Sequence, residues 1–144
     1  ASQPSQPSAD EKQAAALKQL LDSSEVEIPQ LLIDEEVERS LSRLVDQTER
    51  LGLTVDKYLK ATGKNPDGIK TEYTQKAHEA LKQEFVIMAV ADKENIKADE
   101  KDIKTMIKAA GDDKVQAELK KPEHNAYLES VIIKRKVLEL LANG

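Results

Sequence analysis

No cysteine occurs in the 144 residues, and aromatic side chains are scarce, with one Phe and three Tyr. The missing cysteines exclude disulfides, thiol nucleophiles and thiolate metal sites. Long apolar runs are missing as well. The longest, Phe85 to Ala91, is far short of the ~20 residues a membrane-spanning helix needs, so a water-soluble chain is expected. Glycine and proline number five each, and they stand where helices would begin or end rather than inside them. Neither charge sign dominates: 22 basic and 27 acidic residues give a net charge of −5. Because the signs are interspersed, neither nucleic acid nor an anionic membrane is an expected partner. What is abundant is helix-forming sequence, rich in Ala, Leu, Lys, Glu, Gln, Ile and Val. The length fits one domain.

Residues 1–8, made of Ser, Gln, Pro and Ala, lack the basic start and apolar stretch of a signal peptide and read as a disordered lead. The spacing predicts a first helix from Ala9 or Asp10 to Ser23 or Ser24, with Ala14, Leu17, Leu20 and Leu21 on one face. Pro29 suits the first turn of a second helix, because the residue before it is pushed towards extended backbone. That helix runs to Leu51 with a stripe of Val37, Leu41, Leu44, Thr48 and Leu51, widened by Leu31, Leu32 and Val45. Asp34, Glu35, Glu36 and Glu38 are placed to favour its positive end. Gly52 is a C′ residue able to take positive φ. Thr54 caps a short helix carrying Val55, Tyr58 and Leu59, which Gly63 ends.

A long spine helix is expected from Asn65-Pro66 to about Asn95, striped by Ile69, Tyr73, Ala77, Leu81, Phe85 and Met88. Its segment Phe85–Ala91 is apolar all round and should be wrapped on several sides. Asp99 and Asp102 form a capping-box pattern for a helix with Ile103, Met106, Ile107 and Ala110 on one face, stopped at Gly111. A short helix bearing Val115 and Leu119 follows and breaks at Pro122. The last helix spans about Glu123 to Ala142, with Leu128, Val131, Ile132, Val137, Leu138 and Leu141.

Chemistry finds little support. His78 and His124 are the only histidines, and neither has a second strong ligand in a known metal-binding spacing, so no metal or cofactor is expected. Carboxylate pairs such as Glu35 with Glu36 and Asp112 with Asp113 fall in first turns, where capping explains them better than acid–base work does. Gly63 to Gly68 lacks the strand-loop-helix order of a phosphate cradle and reads as a turn. Lys134-Arg135-Lys136 reads as a solvated helix face. The remaining candidate is apolar surface on short helical arms.

Five blocks in register carry a resemblance: Glu25-Val26-Glu27-Ile28-Pro29, Leu32 to Val37, Leu51-Gly52-Leu53, Tyr58 to Gly63, and Ile96 to Glu100. Their order and spacing over about Ala9 to Leu141 resemble the C-terminal domain of bacterial trigger factor. The resemblance implies an all-helical body over residues 9–144, with a long spine and two protruding arms. It further implies a cytoplasmic, ATP-independent chaperone that holds apolar segments of unfolded or nascent polypeptides and has no catalytic residue. The family's ribosome-docking loop and prolyl isomerase motifs are not matched, so neither activity is expected of this segment. Client contacts are expected at Leu44, Leu51, Leu53, Val55, Tyr58 and Leu59 in the first arm, and at Ile103, Met106, Ile107, Val115 and Leu119 in the second. The alternative reading is a helical assembly module that pairs with one fixed partner or forms a homodimer.

Overall fold

A computed structural model describes residues 5–143. Its elements are α1 (Ala9–Ser23), α2 (Gln30–Arg50), α3 (Val55–Ala61), α4 (Pro66–Lys93), α5 (Glu100–Ala109), α6 (Asp113–Leu119) and α7 (Asn125–Asn143), with a 3-10 turn at Pro122–His124. Among the described residues there is no strand, and the expected all-α class holds. Part of the expected disordered lead, residues 1–4, lies outside the described residues. Residues 5–7 carry no regular structure, whereas Ser8 belongs to α1 as its N-cap. The Ser8 hydroxyl accepts the Glu11 N–H at 3.2 Å, and the Glu11 carboxylate accepts the Ser8 N–H at 2.7 Å. The two orphan donors are thus satisfied reciprocally.

The chain divides into two compact units, one formed by Glu25–Phe85 and the other by the chain up to Ser24 together with that from Val86 onward. In the Glu25–Phe85 unit, α2 and the first part of α4 bury Ile33 and Val37 against Ala77 and Leu81, with Tyr73 and Leu41 packed alongside. Nearer the α2–α3 turn, Leu44, Leu59 and Ile69 form a second buried cluster flanked by Val55 and Tyr58. Ile33 was absent from the expected stripe, while Leu31 (68% exposed) and Val45, expected to widen it, face water. The buried residues of α2 are Ile33, Val37, Leu44 and Thr48, a narrow stripe that α3 and α4 suffice to cover. Thr48 is fully buried at no polar cost, because its hydroxyl donates to the Val45 carbonyl at 2.8 Å. The acids of α2 lie past its first turn, so the expected dipole benefit gives way to side-chain pairing. Glu36 accepts from Arg39 and Arg43, and Asp34 from Gln30.

Two stops define this unit. Gly52 has φ +69°; its N–H donates to Glu49, and the Leu53 N–H reaches back to the Thr48 carbonyl at 2.9 Å. The same six-to-one closure recurs after α3, where Gly63 also has φ +69° and the Lys64 N–H donates to Leu59 at 2.8 Å. Between them Thr54 caps α3 through the Lys57 N–H, and beyond the second stop Asn65 caps α4 through the Gly68 N–H at 2.6 Å.

In the second unit α7 is the central helix, with Ile132 and Val137 fully buried. Val137 packs with Ile87 and Ala91 of α4, and Leu17, Val90, Ile96, Ile133 and Leu141 close round them. Ala14 of α1 is exposed; the covered face runs through Ala16, Leu17, Leu20 and Leu21. Met88 is also exposed, so the wrapping expected around Phe85–Ala91 leaves one side open. α4 ends two residues early, at Lys93, because Asn95 takes φ +53° and the Ile96 N–H donates to Ala91 at 2.8 Å. Asparagine here serves where glycine usually does. The expected start of the last helix at Glu123 is corrected to Asn125, because Pro122–His124 wind as a 3-10 turn.

α5 begins as its sequence foretells. Asp99 accepts the Asp102 N–H at 2.8 Å, and Asp102 accepts the Asp99 N–H at 3.2 Å. Lys136 of α7 adds a third tie: its ammonium donates to Asp102 at 2.6 Å and to the Lys97 carbonyl at 2.8 Å. The solvated face expected over residues 134–136 therefore holds for Lys134 and Arg135 but not for Lys136, which is half-buried. Lys136, then the Asp99 N–H, holds the Asp102 carboxyl below the usual carboxylate range.

Candidate functional site

Leu31, Val45, Met88, Val115, Tyr127 and Leu140 are exposed singly, and two places, one in each unit, bring uncovered apolar side chains together. In the Glu25–Phe85 unit they sit at the α2–α3 turn. The six-to-one closure around Gly52 turns the chain so tightly that Leu51 (59% exposed) and Leu53 (38%), on either side of the glycine, are left in water. Val55 and Tyr58 are half-buried against the underlying cluster. Leu44 (5% exposed) and Leu59 (4%) are that cluster. Their expected role as client contacts is corrected to core: a side chain enclosed by Ile69, Val55 and Tyr58 offers no face to another chain.

In the second unit the uncovered surface is a groove of about 840 Å³ between α5, α6 and the 3-10 turn. Ile103, Leu119 and Pro122 line it, with Ile107 at its floor. Ile107 is otherwise buried, so it supports the groove more than it faces outward. α6 has only seven residues and none of them is buried, so it walls the groove without filling it. Val115 is exposed outside the lining, and Met106 is half-buried away from it. Sequence reading missed Pro122 and Asn125 as lining residues, because the 3-10 turn that brings this segment to the groove was not foreseen. It also missed the exposed Tyr127 and Leu140 of α7, which helical spacing alone does not distinguish from core.

Polar clusters are present but modest. Glu118, Glu123 and His124 bring one ligand-type atom each within 4.8 Å of one another, a grouping hidden in sequence by the break between α6 and the turn. His124 Nε2 lies 3.3 Å from Glu118 and 3.5 Å from Glu123. The other Glu118 oxygen is taken by the Lys121 ammonium at 2.7 Å. Lys121 first, then His124, lowers the Glu118 carboxyl from its ordinary value. The arrangement is an ion-pair knot that joins α6 to the turn. Glu72 is similarly lowered by Lys76 and then Lys64, where it ties the α3–α4 connection to the side of α4. His78 is exposed, and Gly63 to Gly68 form a turn followed by the start of α4.

The family described as the C-terminus of bacterial trigger factor protein matches residues 1–143. Among curated proteins, the trigger factor of Natranaerobius thermophilus is 31% identical over 127 residues, covering 84% of this chain and 28% of the relative. That of Finegoldia magna is 28% identical over 141 residues, covering 93% of this chain and 32% of the relative. The chain thus spans about a third or less of the length of these relatives. A solved structure of domains of trigger factor from Thermotoga maritima shares the fold with a TM-score of 0.73 at 20% identity, over 94% of this chain and 81% of that one.

Proposed function

Because the chain belongs to the family of bacterial trigger factor C-termini, we propose that it is the chaperone portion of a cytoplasmic protein that holds apolar segments of unfolded or nascent polypeptides. The observation that carries this reading is the coexistence of filled cores with uncovered apolar surface at the α2–α3 turn and in the α5–α6 groove. Scattered exposed leucines are ordinary on any protein. A tight turn presenting Leu51 and Leu53 together, and a concave surface lined by Ile103 and Leu119, are better suited to receive another chain.

The mechanism follows from the size of these surfaces. Each exposed leucine that a client covers removes apolar area from water at roughly 25 cal/mol per Å². One contact is weak and a few together hold. As the client buries the same segment in its own core, that larger burial outcompetes the chaperone, and release requires no nucleotide. Neither bond-making residues nor a cofactor enters this cycle.

The test is suppression of aggregation of a chemically denatured model protein at near-stoichiometric ratios, by the chain and by its Leu51→Ser/Leu53→Ser variant. The chain is expected to suppress light scattering, and the variant to suppress it less while unfolding at nearly the same denaturant concentration. No suppression by the chain counts against the reading. Sedimentation at rising concentration examines the competing assembly role, which one tight dimer without residual client binding would favour.

A further inference from the structure

The α5–α6 groove differs from the rest of the molecule in charge. The chain as a whole carries −5, yet the rim of this apolar groove holds Lys104, Lys108, Lys120 and Lys121 against a single carboxylate, Glu100. Lys101 and Lys104 continue the basic row into the adjoining recess, where Asp99 and Glu100 are the acids. Lys121 is already paired with Glu118, and Asp99 is engaged in the α5 cap. Lys104, Lys108 and Lys120 are exposed, and among the described residues no carboxylate lies within ion-pair distance of any of them. Three unneutralised ammonium groups thus stand round a floor of Ile103, Ile107, Leu119 and Pro122. The volume of about 840 Å³ falls within the ~300–1,000 Å³ of clefts that enclose small molecules, room for a few side chains of a client segment.

We infer that this groove selects client segments in which a short apolar stretch is flanked by Asp or Glu. The apolar side chains occupy the floor, and the flanking carboxylates meet Lys104 and Lys108 on one wall and Lys120 on the other. Segments flanked by lysine are repelled by the same rim. The inference rests on the client-holding role proposed above and adds a charge preference confined to one of the two apolar surfaces. Rim lysines are long and solvated, so each contact is weak. Their effect is discrimination between segments of equal hydrophobicity.

Three fluorescein-labelled peptides with one Leu-Leu-Val-Leu core, flanked on both sides by Asp, Ser or Lys pairs, test this by anisotropy against the full chain. At low salt the Asp-flanked peptide is expected to bind roughly five-fold more tightly than the Ser-flanked one, and the Lys-flanked peptide most weakly. About 0.5 M NaCl should bring the three together. Lys104→Glu/Lys108→Glu, two exposed positions, should reverse the order without altering the thermal unfolding midpoint. Equal affinity for all three peptides would overturn the charge preference and leave client holding intact. Binding of none would remove the holding role itself. An Asp preference that survives the double variant would place it elsewhere on the molecule and overturn the assignment to this groove. Concentration-dependent self-association abolished by the same variant would show that a second copy occupies the groove, and would overturn that assignment too.

Discussion

The α2–α3 turn and the α5–α6 groove are both built from a longer and a shorter amphipathic helix, yet they expose apolar surface in opposite ways. At the α2–α3 turn the stripe of the short helix finds partners: Leu59 meets Leu44 and Ile69, and only the residues flanking Gly52 escape. In the groove the short helix has no buried residue, and the space between it and α5 stays open. α3 and α6 are each seven residues long, so length is not the cause. The difference lies in what passes beneath. α4 brings Ile69 under α3, whereas the groove beside α6 is lined by α5, α6 and the segment 120–125 alone. An amphipathic stripe becomes core when a third element covers it, and stays open to water when none does.

Truncating equivalent leucines on the two short helices probes this contrast most strongly. Leu59→Ala should cost ~2–4 kcal/mol, because it opens a cavity in an enclosed cluster. Leu119→Ala, at a half-buried groove position, should cost less than ~1 kcal/mol. Urea denaturation of both variants measures the difference, and equal losses would erase the distinction between core and groove. Next in size is the turn itself. Gly52→Ala places a Cβ at φ +69° and should destabilise by ~1 kcal/mol, through backbone conformation alone since no neighbouring atom lies within 4 Å of that Cβ. A neutral outcome in the same denaturation assay would mean that the turn relaxes, and that the exposure of Leu51 and Leu53 is not enforced by it.

The smallest effect concerns pH on the groove side. Asp102 has its folded-state pKa lowered by Lys136 and the Asp99 N–H, so its contribution is present above its unfolded-state pKa and is lost as pH falls through the lower folded value. Asp102→Asn keeps an acceptor for the cap but loses the charge. The variant should therefore be less stable than the parent at neutral pH, with the gap narrowing on acidification below the usual aspartate range. Thermal unfolding across that range reads the gap. A gap independent of pH would show that the Lys136 pairing contributes nothing.

Local chemistry made the helix boundaries readable. Thr54, Asp99 and Asp112 cap, and Gly52, Gly63 and Gly111 stop, because each acts on backbone groups within a few residues of itself. Asn95 did the same work less visibly, since asparagine is a rarer stop than glycine. Which apolar residues are core was harder to read. Leu31, Val45 and Met88 are as apolar as their neighbours but point away from the helices that cover Ile33, Val37 and Ile87. The short helices were legible as helices, but Leu44 and Leu59 differ from Leu51 and Leu53 in being enclosed with Ile69, which lies on another helix. Lys136 lies 34 residues from the carboxylate it holds, a distance at which helical periodicity carries no information.

α6 is retained by its Asp112 cap, which accepts the Lys114 and Val115 N–H groups at 2.8 and 3.2 Å, and by the knot around Glu118, with no enclosed side chain to anchor it. Opening such a segment exposes little new oil to water, so its amides should be among the first of the helical ones to exchange with deuterium. If the groove holds clients as proposed, a wall that opens at so little cost would let one recess adjust to guests of unequal bulk.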